Sequence, residues 1–252
     1  MSALTGKTAL VTGGGRGLGR AIAERLGRDG ARVGVHYGHD EPAAKETVAA
    51  IEAAGGSAFA LRAPLGAEGD AEALWAAFDA EAEGVDILVL NAGVTGPRSG
   101  VDATSREDFD AIFAVNVRAP FFIVQHGLSR LRDGGRVITV STGLTHRAGA
   151  MADVLPYTMS KGALDQLTTG LAKRLGPRGI TVNAVAPGVV DTDMNASWLR
   201  GSEEARKATA ASSPLGRLGQ PADIADVAAF LASDDSRWVT GDWIDATGGV
   251  LL

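Results

Sequence analysis

The chain has 252 residues, with 24 Lys and Arg against 30 Asp and Glu for a net charge of −6, 34 Gly, four His and no Cys. That length suits one ordinary α/β domain better than two large ones, and a modest negative charge argues against general binding of a phosphate backbone. The missing cysteines exclude disulfides, thiolate metal clusters and cysteine nucleophiles, so any redox chemistry must come from a bound cofactor.

The first residues run straight into an apolar strand-like segment, without the long apolar core and cleavage pattern of a signal peptide. No apolar run approaches the roughly 18 residues of a membrane-spanning helix, and the expectation is a cytoplasmic protein with neither membrane nor nucleic-acid partner. Residues 8–12 read as a buried strand, 16–26 as a helix, 31–37 as a strand and 41–54 as a helix. Strands at 57–61 and 86–90 flank a helix at 70–83. Helices around 107–117 and 120–131, a strand at 136–140, a long helix at 157–175 and a strand at 180–185 continue the alternation. A capped helix at 221–231 and a short strand at 243–244 precede an apolar tail at 250–252, available for assembly or intrachain packing. This order predicts a single-domain α/β, doubly wound Rossmann fold over residues 1–252, with a mainly parallel seven-stranded sheet. Residues 188–214 form a longer polar connection with room for a short helix, read as a substrate-covering segment. Its Met194, Trp198 and Leu199 either cover a pocket or cap the core.

Between the first strand and helix stands Thr12-Gly-Gly-Gly-Arg16-Gly-Leu-Gly19. Glycines let backbone approach a pyrophosphate closely, and the helix N-terminus supplies unsatisfied N–H donors, so this placement points to a dinucleotide. Arg20 follows where a P-loop would have Lys and Ser or Thr. The second strand ends His36-Tyr37-Gly38-His39, with no carboxylate to receive the adenosine ribose hydroxyls. Arg16 and a nearby imidazole would instead suit a ribose phosphate, which favours NADP over NAD. No metal site is expected, because His36 and His39 lack a completed ligand set. Asn91-Ala92-Gly93 follows the fourth strand, where Gly93 permits close cofactor passage and Asn91 holds either the turn or the ribose-facing wall.

Tyr157 and Lys161 are four residues apart on a predicted helix and share one face. An ammonium and a nicotinamide cation nearby would stabilise phenolate, letting Tyr157 give a proton to a ketone oxygen or take one from an alcohol.

Together with Asn116, Val140-Ser141-Thr142, Asn183 and Pro187-Gly188, these motifs resemble the short-chain dehydrogenase/reductase family over essentially the whole chain, particularly its ketoreductases and 3-oxoacyl thioester reductases. The resemblance implies Tyr157 as proton donor, Lys161 as ribose ligand, and Asn116 as a helix-bending residue supporting a water-mediated relay. It maps the substrate-orienting hydroxyl to Thr142, with Ser141 the adjacent alternative, ahead of a 143–156 loop about two residues longer than usual. The implied cofactor contacts are Gly13, Gly15, Arg16, Gly17, Leu18, Gly19, Tyr37, Asn91, Ala92, Gly93, Tyr157, Lys161, Pro187, Gly188, Val190 and Thr192. Pro64 stands near where the family commonly places an acidic adenine contact. The resulting expectation is an NADP-dependent enzyme that reduces a ketone to a secondary alcohol, including a 3-oxoacyl thioester, as a homotetramer or dimer. The alternative is a catalytically weak NADPH-sensing or protein-interaction module.

Overall fold

Aliphatic runs such as Val85–Leu90 and Thr181–Pro187 are buried along their whole length, as a sheet covered on both faces requires. A computed structural model describes residues 3–252, so Met1 and Ser2 of the expected domain lie outside it. In chain order the elements are β1 (Thr8–Val11), α1 (Gly17–Arg28), β2 (Arg32–Tyr37), α2 (Glu41–Ala53), β3 (Ser57–Arg62), α3 (Asp70–Asp79), β4 (Val85–Leu90) and α4 (Gly100–Ala103). There follow α5 (Arg106–Phe113), a π-helical turn (Ala114–Arg118), α6 (Ala119–Gly127), β5 (Leu131–Val140), α7 (Leu155–Leu175) and β6 (Thr181–Pro187). The last are α8 (Ala196–Leu199), α9 (Glu203–Ala211), α10 (Pro221–Ala232) and β7 (Trp243–Ala246).

The strands form one sheet in the order β3-β2-β1-β4-β5-β6-β7, and every pairing is parallel. Chain direction across the sheet reverses between β1 and β4, which opens a crevice at their C-terminal ends. Strand alternation divides the core into two layers. Ala9, Val11, Ile87 and Val89 face α1, α2 and α10, while Leu10, Leu88 and Leu90 face α3 and α6.

Three boundaries differ from expectation. The helix expected to reach residue 131 stops at Gly127, where an added Cβ would lie 2.4 Å from the Trp75 ring. Leu131 instead pairs with Val85 and starts β5, and an irregularity carries the register from there to Arg136 opposite Ile87. The helix at 70–83 ends at Asp79, with the Glu81 and Ala82 N–H groups both turning back to the Phe78 carbonyl. The two helices near 107–131 run into one another through the π-helical turn rather than separating.

Candidate active site

The glycine turn is built by contacts that the motif does not display. Gly13 and Gly17 take φ of +64° and +55°, a region that L side chains avoid. A Cβ on Gly19 would meet the Gly13 carbonyl at 2.1 Å, so the turn closes onto α1 only with glycine there. Asn91 Nδ2 donates to the carbonyls of Thr12 (2.8 Å) and Gly13 (3.1 Å). Thr12 Oγ1 donates to the Val89 carbonyl at 3.1 Å and accepts from the Asn91 and Ala92 N–H groups at 2.9 and 3.0 Å. Asn91 therefore holds the turn, and β1 and β4 are stitched together at the crevice.

His36 is a second hidden support. The Gly13 N–H donates to its Nδ1 at 3.0 Å, and its Nε2 donates to the Ala63 carbonyl at 2.7 Å, which selects the Nε2–H tautomer. Burial pulls its pKa down from 6.5 to about 4, against smaller opposing effects of the Ala63 carbonyl and the Asp70 carboxylate. A neutral, doubly bonded ring cannot serve as the phosphate-binding imidazole, which corrects that expectation for His36. His39 and Arg16 are exposed, and Tyr37 is half-buried at the end of β2 with its carbonyl taken by the Ala63 N–H.

No side chain caps α1, whose N-cap residue is Arg16, and this leaves its first-turn donors to a ligand. Gly15 packs on α2, where its Cβ would sit 3.2 Å from the Ala44 nitrogen, and Leu18 packs on the core. Thr192 closes the opposite wall, with its Cγ2 3.7 Å from where a Gly17 Cβ would be. Gly188 passes so near β7 that a Cβ would lie 2.9 Å from the Thr247 carbonyl oxygen, and buried Val190 bridges to Gly219. Pro187 ends β6 beside Gly143. A strip of backbone without side chains, flanked by helix donors, fits a dinucleotide pyrophosphate.

At the other end of the crevice, Tyr157, Lys161 and Thr142 converge. Lys161 Nζ lies 5.9 Å from the Tyr157 ring centre and donates to the Val140 carbonyl at 2.7 Å. Burial pushes the phenol up to about 12, and the neighbouring Thr142 hydroxyl opposes that rise. Burial likewise pulls Lys161 down to about 8, with Asp165 opposing. In the protein alone, desolvation dominates the Tyr157 phenol. For a proton donor to a ketone the result is favourable, since Tyr157 keeps its proton at neutral pH.

Thr142 faces Tyr157, whereas Ser141 lies on the other side of the extended chain, its buried hydroxyl against the Asp165 carboxylate. Asn116 occupies the π-helical turn, fully buried. Its Oδ1 accepts from the Val94 N–H at 2.9 Å, and its Nδ2 donates to the Val94 carbonyl (2.8 Å) and Ser160 Oγ (2.9 Å). A π-turn at such a position is a frequent mark of a functional site. A Cβ on Gly93 would stand 3.3 Å from Lys161 Nζ and 3.2 Å from Asn116 Oδ1, so glycine keeps this corner open. Ser160, which ties Asn116 to the Tyr157 carbonyl at 2.7 Å, was not singled out from the sequence, although it lies inside the Tyr157–Lys161 spacing.

The segment 188–214 holds a short 3-10 turn (Asp193–Asn195), α8 and α9 rather than one short helix. Leu199 is fully buried and belongs to the core, Met194 is exposed, and Trp198 lies between those extremes. Arg200 and Arg206 both bond Asp191, at 3.1 and 2.9 Å, fastening the segment at its base. Among the described residues no cluster of His, Asp or Glu is arranged to hold a metal, and no helix is long and apolar enough to cross a membrane.

A doubly wound parallel sheet, a glycine cradle at its switch point and a buried Tyr/Lys pair beside it define the class as a nicotinamide nucleotide-dependent oxidoreductase. A family model described as enoyl-(acyl carrier protein) reductase matches residues 13–251. The crystal structure of the angucycline C-6 ketoreductase LanV with bound NADP superposes with a TM-score of 0.93 at 49% identity, covering 99% of this chain and 97% of that one. Versicolorin reductase 1 of Aspergillus parasiticus is 40% identical over 255 residues, 98% of this chain and 97% of the relative. The hydroxynaphthalene reductase-like protein Arp2 of Metarhizium brunneum is 40% identical over 256 residues, 98% of this chain and 95% of the relative. The chain belongs to the short-chain dehydrogenase/reductase family.

Proposed function

We propose that this protein is an NADPH-dependent ketoreductase acting on a ketone carried by a fused-ring scaffold. The observation that carries the reading is the convergence of the Tyr157 phenol and Thr142 hydroxyl beside Lys161, at the end of a cradle suited to a dinucleotide. When bound, NADPH supplies the hydride. Tyr157 delivers a proton to the carbonyl oxygen, and Thr142 orients that oxygen and stabilises its growing negative charge. Lys161 binds the nicotinamide ribose and favours the phenolate left behind, while Asn116 keeps the relay path open behind Gly93. Arg16 recognises the ribose phosphate, and residues 188–214 cover the substrate. The relatives, a hydroxynaphthalene reductase-like protein and an angucycline ketoreductase among them, support a ring ketone over a 3-oxoacyl thioester.

We further place the enzyme in the cytoplasm as a homotetramer. Phe121 and Met159, each 49% exposed, leave one apolar face on α6 and α7, and an apolar groove between Val117 and Leu167 runs along it. A second face lies at the edge strand β7 with the nearly fully exposed Trp238. Two separate apolar faces would give a dimer of dimers its two interfaces. Sedimentation should give four copies, reduced to two by Phe121→Glu.

The decisive assay is initial-rate oxidation of NADPH, paired with NADH, against a fused-ring ketone, a small β-keto thioester and a sugar-derived ketone. Fast turnover of the ring ketone with NADPH is expected, and Arg16→Ala should weaken NADPH selectively, leaving NADH nearly untouched. Tight NADPH binding without turnover of any carbonyl would overturn the reading in favour of a nucleotide sensor.

A further inference from the structure

One side chain ties together the loops that leave the C-terminal ends of β4, β5 and β6. Arg98, in the loop after β4, donates from Nε to Asp153 Oδ2 at 2.7 Å. Its guanidinium carbon lies 5.4 Å from the centre of the Trp198 ring. Asp153 stands in the long loop after β5, four residues before Tyr157, and Trp198 is in α8 of the segment after β6. The three strands are adjacent in the sheet, so the contact crosses above the end of β5, the strand that leads into Thr142.

The chemistry suits a strut. A planar guanidinium can bond a carboxylate in its plane while stacking on an indole with its face, which an ammonium cannot do. Trp198 is itself held, since its Nε1 donates to Asn195 Oδ1 at 3.3 Å and Asn195 Nδ2 donates to the Val190 carbonyl at 2.9 Å. The Arg98 and Asp153 side chains remain 37% and 41% exposed, so the strut contributes little to the core. An exposed ion pair and an exposed cation–π contact are each weak, and a bridge made of them opens readily. The base of the segment has its own fastening through Asp191 and Leu199 is buried in the core, which leaves the Trp198 face of α8 as the part that Arg98 governs.

We propose that Arg98 determines specificity: strung between Asp153 and Trp198, it forms a strut over the mouth of the substrate cleft that must release Trp198 to admit a fused-ring ketone, while a small ketone passes with the strut in place. The inference rests on the ketoreductase reading. It assigns a role to a residue outside the catalytic and nucleotide-binding sets.

The test compares wild type, Arg98→Ala, Arg98→Lys, Trp198→Ala and the Arg98/Trp198 double variant, with tetralone as the fused-ring ketone and an acetoacetate ester as the small one. The ratio of kcat/KM for tetralone over the ester should rise roughly three- to tenfold in Arg98→Ala, the size of effect that two weak surface contacts allow. Arg98→Lys should restore only part of the wild-type ratio, and the double variant should match Trp198→Ala. An unchanged ratio, or independent effects of the two substitutions, overturns the proposal. Amide hydrogen exchange of residues 196–199 in the NADPH complex supplies the second arm, with faster exchange expected in Arg98→Ala. Equal exchange rates overturn the strut whatever the kinetics show. Turnover of neither ketone by the wild type defeats the ketoreductase reading and its substrate assignment together, while the exchange arm still decides whether the strut exists.

Discussion

Replacing Thr142 and Ser141 separately separates two hydroxyls one residue apart. Thr142→Val keeps the shape and removes only the hydroxyl that faces Tyr157. Its other local bond, accepting from the Leu144 N–H, is long at 3.4 Å, so little stability depends on it. Loss of a donor aimed at a developing oxyanion lowers kcat by roughly 100- to 1,000-fold, equivalent to about 3–4 kcal/mol. Ser141→Ala removes a hydroxyl that is 3% exposed and faces Asp165, away from Tyr157. Loss of this single weak contact should change stability by no more than about 1 kcal/mol, with kcat within roughly threefold of wild type. Single-turnover oxidation of NADPH with a saturating ring ketone, alongside urea unfolding of each variant, reads both quantities. A hundredfold loss in Ser141→Ala with a near-normal Thr142→Val would refute the assignment and show that β5 presents the opposite face to the substrate.

Tyr157→Phe should lower kcat roughly 100- to 10,000-fold while leaving the NADPH dissociation constant, followed by nucleotide fluorescence, within about twofold. Lys161→Met should abolish most turnover yet stabilise the fold near neutral pH. Burial draws Lys161 from 10.5 to about 8, so between those values the unfolded chain holds the proton that the folded chain has lost, and wild-type stability rises with pH there. At ~1.4 kcal/mol per pH unit the gap is about 3 kcal/mol at pH 7, and chemical unfolding at pH 7 and 10 should show it closing. A gap that stays constant with pH would contradict this. His36 has the same sign at lower pH: drawn from 6.5 to about 4 by burial, it makes the wild type lose stability as pH falls through that window. His36→Asn should flatten that acid limb and weaken NADPH binding through Gly13, and an unaltered limb in thermal unfolding from pH 7 to 4 would count against it.

Much of the nucleotide end was legible in the sequence because its constraints are local. A φ of +64° at Gly13 or a missing Cβ at Gly19 is a demand on single residues. The four-residue spacing of Tyr157 and Lys161 needs only helix geometry to share a face. The alternation of strands and helices likewise follows from hydrophobic period, and the parallel sheet from their order.

What tertiary structure alone decided depends on contacts between distant segments. The face that Thr142 presents follows from the register of β5 against β4 and β6, which sequence alternation cannot specify across an irregular strand. The close packing of α6 at Gly127 depends on Trp75, fifty-odd residues earlier in the chain. The role of His36 depends on Gly13 and Ala63 meeting its two ring nitrogens, and that of Arg98 on three loops meeting over one strand. Local propensity determined which elements form and where the backbone must stay bare, whereas the direction of each polar side chain was decided by the neighbours that packing brought to it.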